Sequence, residues 1–178
     1  MRIFALQGSE ALGSALAVEL ACDLDPHEAR DFEDGEHKSR PLVSVRGKDV
    51  FVVSSLTGSG GATVNDRLVR LLFFLATCRE NGAAQVTAVV PYLAYARKDR
   101  QTKPFDPLTL RYVAHLFEAV GTAQLLVLEA HNVAALQNAF RCPTMNLEEH
   151  RVFEDVATSL GRDGPIAVAS PDPGGVER

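Results

Sequence analysis

The stretch that decides the fold is VTAVVPYLAYARKDRQTKP, residues 86–104. Its first five residues form a largely apolar run, which is typical of a strand buried on both faces of a parallel sheet. The segment that follows gathers Arg97, Lys98, Arg100 and Lys103 around one acid, Asp99. Ligands of open α/β sheets bind at the carboxyl ends of the strands. The stretch therefore predicts a buried strand that leads into a ligand-binding loop.

The same alternation of strands and helices extends along the rest of the chain. Strand patterns lie at residues 2–6, 50–54 and 124–128, and amphipathic helix patterns lie at 10–20, 64–75 and 108–120. Gly8 and Ser9 predict a turn and a helix N-cap, and Leu12, Leu16 and Leu20 recur every four residues behind them. We therefore predict a three-layer α/β fold in which helices cover a mostly parallel sheet.

Residues 25–41 (DPHEARDFEDGEHKSRP) break this alternation. Phe32 is their only large apolar side chain, so the segment cannot supply a core element. It predicts an extended arm on the surface of the protein.

The last part of the chain predicts a second domain. Residues 147–160 have a helical pattern, residues 166–170 read as a strand, and PDPGGVER follows where a helix is expected to begin. A buried strand needs later elements to cover it. We therefore expect one domain at 1–146 and the beginning of an incomplete second domain at 147–178.

Composition restricts the class of protein. The 178 residues are 46% hydrophobic and carry a net charge of -5, which argues against a general nucleic-acid binder. No apolar run approaches the roughly 20 residues that span a bilayer. The N-terminus has no secretory pattern, so the cytoplasm is the expected location. The three cysteines are far apart in the sequence and form no CxxC pair. This spacing predicts reduced thiols rather than a disulfide framework or a zinc site.

The loops after the predicted strands each allow two interpretations. TGSGGAT, residues 57–63, is either a phosphate cradle or a flexible turn, since it lacks the usual phosphate-loop endings. The cationic loop is either a site for several phosphate oxygens or a solvated charged loop. Tyr92 and Tyr95 either stack on a base or pack at the edge of the sheet. His131 is either a structural residue or a metal ligand, and Asp172 lies where a carboxylate could reach a magnesium-bound polyphosphate. The residues alone thus indicate an anion or nucleotide site.

Longer segments carry a specific resemblance. They are FALQGSEALGSALA, FEDGE, SVRGKDVFVVSS, VNDRLVRLLFFL, TAVVPYLAYARKDRQTKPFDPLT, LLVLEAHNVAALQNAF and SPDPGGVER, in that order. This text resembles the ribose-phosphate pyrophosphokinases, also called phosphoribosyl pyrophosphate synthetases. The resemblance implies a type I phosphoribosyltransferase-like fold. It also implies transfer of the diphosphoryl group of MgATP to ribose 5-phosphate, which gives phosphoribosyl pyrophosphate and AMP, with Mg²⁺ as cofactor.

The resemblance also assigns residues. The ATP-binding positions it implies are Phe32, Asp34, Gly35, Glu36, Arg97, Lys98, Asp99 and Arg100. The arm that carries the first four is implied to reach the ATP site of a neighbouring subunit in a homo-oligomer built from dimers up to hexamers. His131 and Asp172 match the positions associated with magnesium. Arg46 lies in a stretch that resembles the regulatory region of the family.

The chain departs from the family pattern in ways that limit this assignment. Lys98 stands where many members have Gln, and Glu129-Ala130 stands where Asp-Leu is common. The ribose 5-phosphate motif and the loop with the catalytic Lys do not occur in the 178 residues, so the catalytic residue is unknown. We expect this chain alone to bind nucleotide without turnover. A non-catalytic regulatory relative and a nucleotide-binding module remain as alternatives.

Overall fold

The computed structural model describes residues 1–58, 60–161, 164, 167 and 169, and it forms two compact units, Met1–Leu147 and Glu148–Arg178. No helix within those described residues has the length and apolar composition needed to cross a membrane. The elements in chain order are β1 (Arg2–Ala5), α1 (Glu10–Glu19), β2 (His27–Asp31), β3 (His37–Pro41), β4 (Asp49–Val53), α2 (Val64–Glu80), β5 (Gln85–Val90), α3 (Thr109–Ala119), β6 (Gln124–Leu128), α4 (Val133–Ala139), β7 (Thr144–Leu147) and α5 (His150–Gly161). That the second unit begins an incomplete domain stays a prediction.

The first unit is built on a five-stranded sheet in the order β1-β4-β5-β6-β7. Every neighbouring pair in this sheet is parallel, with Phe4 opposite Val52 and Val89 opposite Leu126 as examples of the register. The predicted α/β fold with a mostly parallel sheet is confirmed. Because all five strands run the same way, the loops after them share one edge of the sheet.

The two faces of the sheet bury different helices. The main core joins strand residues such as Phe4, Val52 and Ala88 to Phe74 of α2 and Phe117 of α3. A smaller cluster on the other face joins strand residues Ile3, Ala5 and Val53 to Leu16 of α1. Side chains alternate between faces along a strand, so β1, β4 and β5 each contribute residues to both clusters. Each large apolar side chain that is fully buried contributes about 1.5–3 kcal/mol.

Helix α1 forms where the sequence predicts it, but its details differ. The Ser9 side chain does not cap the helix; its Oγ accepts a hydrogen bond from the Ser55 N–H at 2.9 Å. The buried residues of α1 are Gly13 and Ala17, whereas Leu12 and Leu20 are 39% and 55% exposed. The reason is close packing, because a Cβ on Gly13 would lie 2.3 Å from the Cβ of Ala5. Of the leucine repeat only Leu16 packs against the sheet, beside the two small residues.

Two elements near the end of the first unit escape the sequence analysis. β7 and the short helix α4 were not predicted, and the helix predicted at 147–160 is wrong in its first residues because Leu147 ends β7. β7 is the four-residue strand TMNL, which mixes polar and apolar residues instead of forming an apolar run. Within α3, Leu116 is 48% exposed although the pattern places it on the apolar face. The predicted strand at 166–170 falls largely outside the described residues.

The polar arm is an antiparallel hairpin of β2 and β3, with His27 opposite Pro41 and Asp31 opposite His37. The predicted extended surface arm is confirmed, and the structure adds how it is attached. Arg70 of α2 forms an ion pair with Asp31 at 2.5 Å. The rings of α2 and the arm also meet: Phe73 stacks on His37 with centroids 5.4 Å apart, and Phe74 contacts His27 edge-on at 5.4 Å.

The two histidines of the arm give the stability of the protein a pH dependence. Burial lowers the pKa of His27 against a raising effect of Glu10, and burial followed by the Arg70 charge lowers the pKa of His37. The folded protein then binds fewer protons than the unfolded chain, whose histidines titrate near 6.5. We expect the free energy of unfolding to fall as the pH drops below that value.

Urea unfolding at pH 8, 6.5 and 5.5 measures this fall. A His27→Gln, His37→Gln double variant should flatten the profile above pH 5, whereas His115→Gln, at an exposed position of α3, is the matched control and should retain it. The carboxylates of Glu28 and Asp66 have lowered pKa values and act only at more acidic pH. A double variant with the wild-type slope would contradict the assignment.

Candidate functional site

The loops at the carboxyl edge of the sheet are tied to one another by hydrogen bonds. Ser55 N donates to Ser9 Oγ, which links the loops after β1 and β4. Leu56 N donates to the Tyr92 carbonyl at 3.1 Å, and Leu128 N donates to the Pro91 carbonyl at 3.2 Å. Four loops therefore form a continuous rim, and the cationic loop lies in its middle because it follows β5, the central strand.

The cations of this loop are not equivalent. Arg97 and Arg100 are exposed and form no ion pair among the described residues. Lys98 is half-buried; its Nζ lies 2.5 Å from Asp106 Oδ2 and 3.1 Å from Thr102 Oγ1. The charge of Lys98 is already offset within the loop. That Lys98 contacts ATP stays a prediction, while Arg97 and Arg100 carry the uncompensated charge.

Tyr95 anchors the base of the cationic loop. Its backbone has φ 64°, a left-handed conformation that is uncommon for a bulky residue. The Tyr95 hydroxyl donates to Asn65 Oδ1 of α2, and the Tyr95 carbonyl accepts from Thr109 Oγ1 at 3.3 Å. Tyr92 and Tyr95 remain 41% and 39% exposed, so both rings have accessible surface. Stacking of either ring on a base stays a prediction.

The loop after β6 is held against the cationic loop by Asn132. The Asn132 Oδ1 caps α4 by accepting from Ala135 N at 3.0 Å, and its Nδ2 donates to Asp99 Oδ2 at 2.8 Å. Glu129 has φ 48°, and Ala130 N donates to Asn146 Oδ1 at 2.8 Å, which fixes the turn. The structure thus brings Asp99 next to the loop that carries His131, whose side chain is exposed.

These residues fit a magnesium ion that is bound mainly by a polyphosphate. Mg²⁺ prefers oxygen ligands, keeps several waters and needs only one or two protein groups in such sites. The exposed imidazole of His131 and the carboxylate of the neighbouring Asp99 are the protein groups available to such a polyphosphate-bound ion. No cluster of three or more potential metal ligands occurs in the described part of the chain, and Asp172 lies outside it.

The glycine-rich loop precedes the N-terminus of α2, which is capped by side chains of the protein. Thr63 Oγ1 accepts from Asp66 N at 3.2 Å, and Asp66 Oδ2 accepts from Thr63 N at 2.8 Å, which is a capping box. Hydrogen bonds from Thr63 lower the pKa of Asp66. A phosphate at this helix end would meet an ionised carboxylate. The geometry therefore favours the turn interpretation over the phosphate cradle.

The arm residues form a tight turn at the tip of the hairpin, between β2 and β3. Gly35 has φ 89° and donates to the Phe32 carbonyl at 3.1 Å, and Glu36 N donates to Asp34 Oδ1 at 3.1 Å. The Arg30 guanidinium lies 5.2 Å from the centroid of the Phe32 ring, which is 41% exposed. Within the described residues no hydrogen bond or ion pair joins this turn to residues 97–100.

The arm and α2 enclose a groove of 420 Å³. It is lined by Gly35, Glu36, His37, Asn65, Asp66, Val69, Arg70 and Phe73. A second groove, of 360 Å³, is lined by Arg40, Pro41, Val43, Ser44, Val45, Arg46 and Asn81. It contains Arg46, the residue whose sequence neighbourhood resembles a regulatory region.

Comparison with known protein families identifies the chain. The family model described as the N-terminal domain of ribose phosphate pyrophosphokinase matches residues 1–121. The chain belongs to the ribose-phosphate pyrophosphokinase family. The predicted resemblance to this family is thereby confirmed.

Relatives of known identity agree with that family. The chain is 36% identical over 177 residues to a ribose-phosphate pyrophosphokinase of Helicobacter pylori, with 99% of this chain and 54% of the relative aligned. It is 33% identical over 179 residues to ribose-phosphate pyrophosphokinase 1 of Streptococcus pneumoniae, with 100% and 54% aligned. The crystal structure of phosphoribosylpyrophosphate synthetase from Mycobacterium smegmatis superposes on this chain with a TM-score of 0.90 at 28% identity. The superposition covers 99% of this chain and 57% of the synthetase chain. The chain therefore spans about half the length of these pyrophosphokinases.

Three residues at this pyrophosphokinase-type rim were missed by the sequence analysis. Asp106 binds Lys98, Asn132 binds Asp99, and Asn65 accepts from Tyr95. Asn132 carries a readable signal, because Asn directly before the helical text VAALQNA is a favoured N-cap. Asp106 and Asn65 have no such signal, since their partners are chosen by the tertiary path of the loop.

Proposed function

We propose that this chain carries the nucleotide half of a ribose-phosphate diphosphokinase site. In the proposed reaction the diphosphoryl group of MgATP is transferred to ribose 5-phosphate, which yields phosphoribosyl pyrophosphate and AMP. Family membership supports this proposal, and the single structural observation that carries it is the pair of exposed, uncompensated arginines on the central loop of the rim. Catalysis of phosphoryl-type transfer is mainly positioning and electrostatic stabilisation, which such a loop can provide.

Each group in the proposed site has a role. Arg97 and Arg100 bind the phosphates, with Lys98 adjoining them, and Asp99 is held by Asn132 so that its carboxylate stays beside the loop of His131. The arm residues Phe32, Asp34, Gly35 and Glu36 complete the adenine side of the site in a neighbouring subunit. The family resemblance implies that these residues serve a neighbouring subunit, and we therefore propose a site shared between subunits, and hence a homo-oligomer.

His131, together with Asp172 outside the described residues, would hold Mg²⁺ on the polyphosphate. When bound, the ion would offset the negative charge that the phosphate oxygens share. The protein contributes the arrangement around it: Asn132 fixes the loop of His131 by capping α4. The exposed position of the imidazole leaves it accessible to a bound nucleotide.

The ribose 5-phosphate motif and the catalytic Lys loop do not occur in these 178 residues. We therefore propose that the chain binds MgATP without forming product by itself. Calorimetric titration of the 178-residue chain with MgATP and, separately, with ribose 5-phosphate tests this directly. Saturable binding of MgATP with no heat from ribose 5-phosphate is expected. Binding of ribose 5-phosphate alone, or formation of phosphoribosyl pyrophosphate by this chain, would contradict the proposal.

A further inference from the structure

One carboxylate oxygen organises the cationic loop. Asp106 Oδ2 accepts four hydrogen bonds: from Lys98 Nζ at 2.5 Å, from Thr102 Oγ1 at 2.7 Å, from Lys103 N at 3.0 Å and from Thr102 N at 3.1 Å. The Lys98 bond and then the Thr102 bonds hold the pKa of Asp106 well below its usual range. This carboxylate is therefore ionised at neutral pH.

The backbone around Asp106 closes the same loop. Asp106 N donates to the Lys103 carbonyl at 3.2 Å, and Gln101 Nε2 donates to the Asp106 carbonyl at 2.8 Å. The Lys98 carbonyl accepts from Leu110 N at 3.3 Å, which joins the start of the loop to the first turn of α3. Residues 98–106 thus form a ring with the Asp106 carboxylate inside it, and we call this ring the Asp106 clasp.

The clasp decides which cations face solvent. It uses the charge of Lys98 internally, while Arg97 and Arg100 flank the clasped residue and are exposed. A loop with four cations and no internal acid would spread under mutual repulsion. A loop whose backbone is already ordered loses less conformational entropy when its side chains bind an anion. A fixed loop therefore binds a polyphosphate better than a loose one of higher charge.

We propose that Asp106 is a positioning residue for nucleotide binding, which acts by holding residues 98–106 so that Arg97 and Arg100 are presented together. Lys98 is the cation of the clasp. The predicted effect of Asp106 on nucleotide affinity rests on the proposed function. The predicted effect of Asp106 on the order of the loop rests on the described hydrogen bonds alone.

The loop itself provides the first test. Amide hydrogen exchange of Thr102 and Lys103, followed by NMR in the full chain, reports on the two backbone donors to Asp106. Asp106→Ala is expected to accelerate both amides about tenfold, because each loses a charge-assisted acceptor. Asp106→Asn retains an acceptor and should give a smaller acceleration. Asp23→Ala removes the same charge at an exposed position far along the chain and is the matched control.

Nucleotide affinity provides the second test, because charge and positioning predict opposite signs. Asp106→Ala makes the net charge less negative, and a pure charge effect would tighten the binding of MgATP. The clasp predicts that binding weakens about fivefold or more, because without Asp106 the loop loses conformational entropy when it becomes ordered on binding MgATP. Lys98→Met should weaken it to a similar extent, and the Lys98→Met, Asp106→Ala double variant should add little to either single change.

The outcomes are distinguishable. Unchanged exchange of Thr102 and Lys103 in Asp106→Ala overturns the clasp, and tighter MgATP binding by that variant overturns its positioning role. Wild-type protein that fails to bind MgATP refutes the proposed function instead. In that case accelerated exchange still supports the clasp as the device that orders the loop.

Discussion

Replacing both Arg97 and Arg100 by alanine is expected to weaken MgATP binding about 100-fold or more. These two guanidiniums are exposed on the central rim loop, and neither forms an ion pair among the described residues. A charge-assisted hydrogen bond to phosphate typically contributes enough free energy for roughly tenfold in affinity, and each arginine can make such bonds in pairs. Calorimetric titration at fixed magnesium and salt concentrations measures the loss.

The matched control removes two cations at the other end of the strands. Lys48 precedes β4, Arg141 precedes β7, and both are exposed. Lys48→Ala with Arg141→Ala changes the net charge as much as the loop variant does, so it isolates the long-range charge effect. If the control weakens MgATP binding as much as the loop variant does, binding depends on net charge, and the phosphate site has been assigned to the wrong loop.

The apolar elements of the fold were predictable from the sequence, and the polar or short ones were not. The strands that became β1, β4, β5 and β6 are apolar runs, and hydrophobic burial at both faces leaves such runs few alternatives. β7 was missed because TMNL has polar residues at alternate positions, and α4 because it has only seven residues. In α1, leucine spacing was misleading for Leu12 and Leu20, since small residues allow the closest approach of helix and sheet and only Leu16 of the repeat packs there.

The site was predictable in its location but not in its connections. A parallel sheet brings the loops of Arg97 and His131 to one edge, and sequence periodicity is enough to infer this. Which cation is neutralised is a different matter. Lys98 and Asp106 are eight residues apart, and only the path of the chain between them brings Nζ to Oδ2. The link from Asn132 to Asp99 spans 33 residues and depends on the packing of two separate βα loops.

The largest expected effect on stability follows from Phe74→Ala. Phe74 is fully buried in α2, and its ring contacts Phe4 of β1 edge-on with centroids 5.2 Å apart and His27 of the arm at 5.4 Å. Removing it leaves a cavity between helix, sheet and arm. We expect the free energy of unfolding to fall by about 3–5 kcal/mol, which is a large part of the roughly 5–15 kcal/mol that stabilises a domain. Urea unfolding followed by circular dichroism measures the change.

Phe73→Ala is the control for this prediction, because Phe73 is the neighbouring residue on the same helix but is 56% exposed. Its ring stacks on His37 of the arm, so its loss should cost only about 1 kcal/mol. The two variants separate the two ring contacts of the arm: Phe74 contacts its first strand and lies in the core, whereas Phe73 contacts only its second strand. Amide exchange in β2 should therefore accelerate in Phe74→Ala and stay near wild type in Phe73→Ala. Equal losses of stability in the two variants would mean that the arm, and not the sheet, is the main partner of this part of α2.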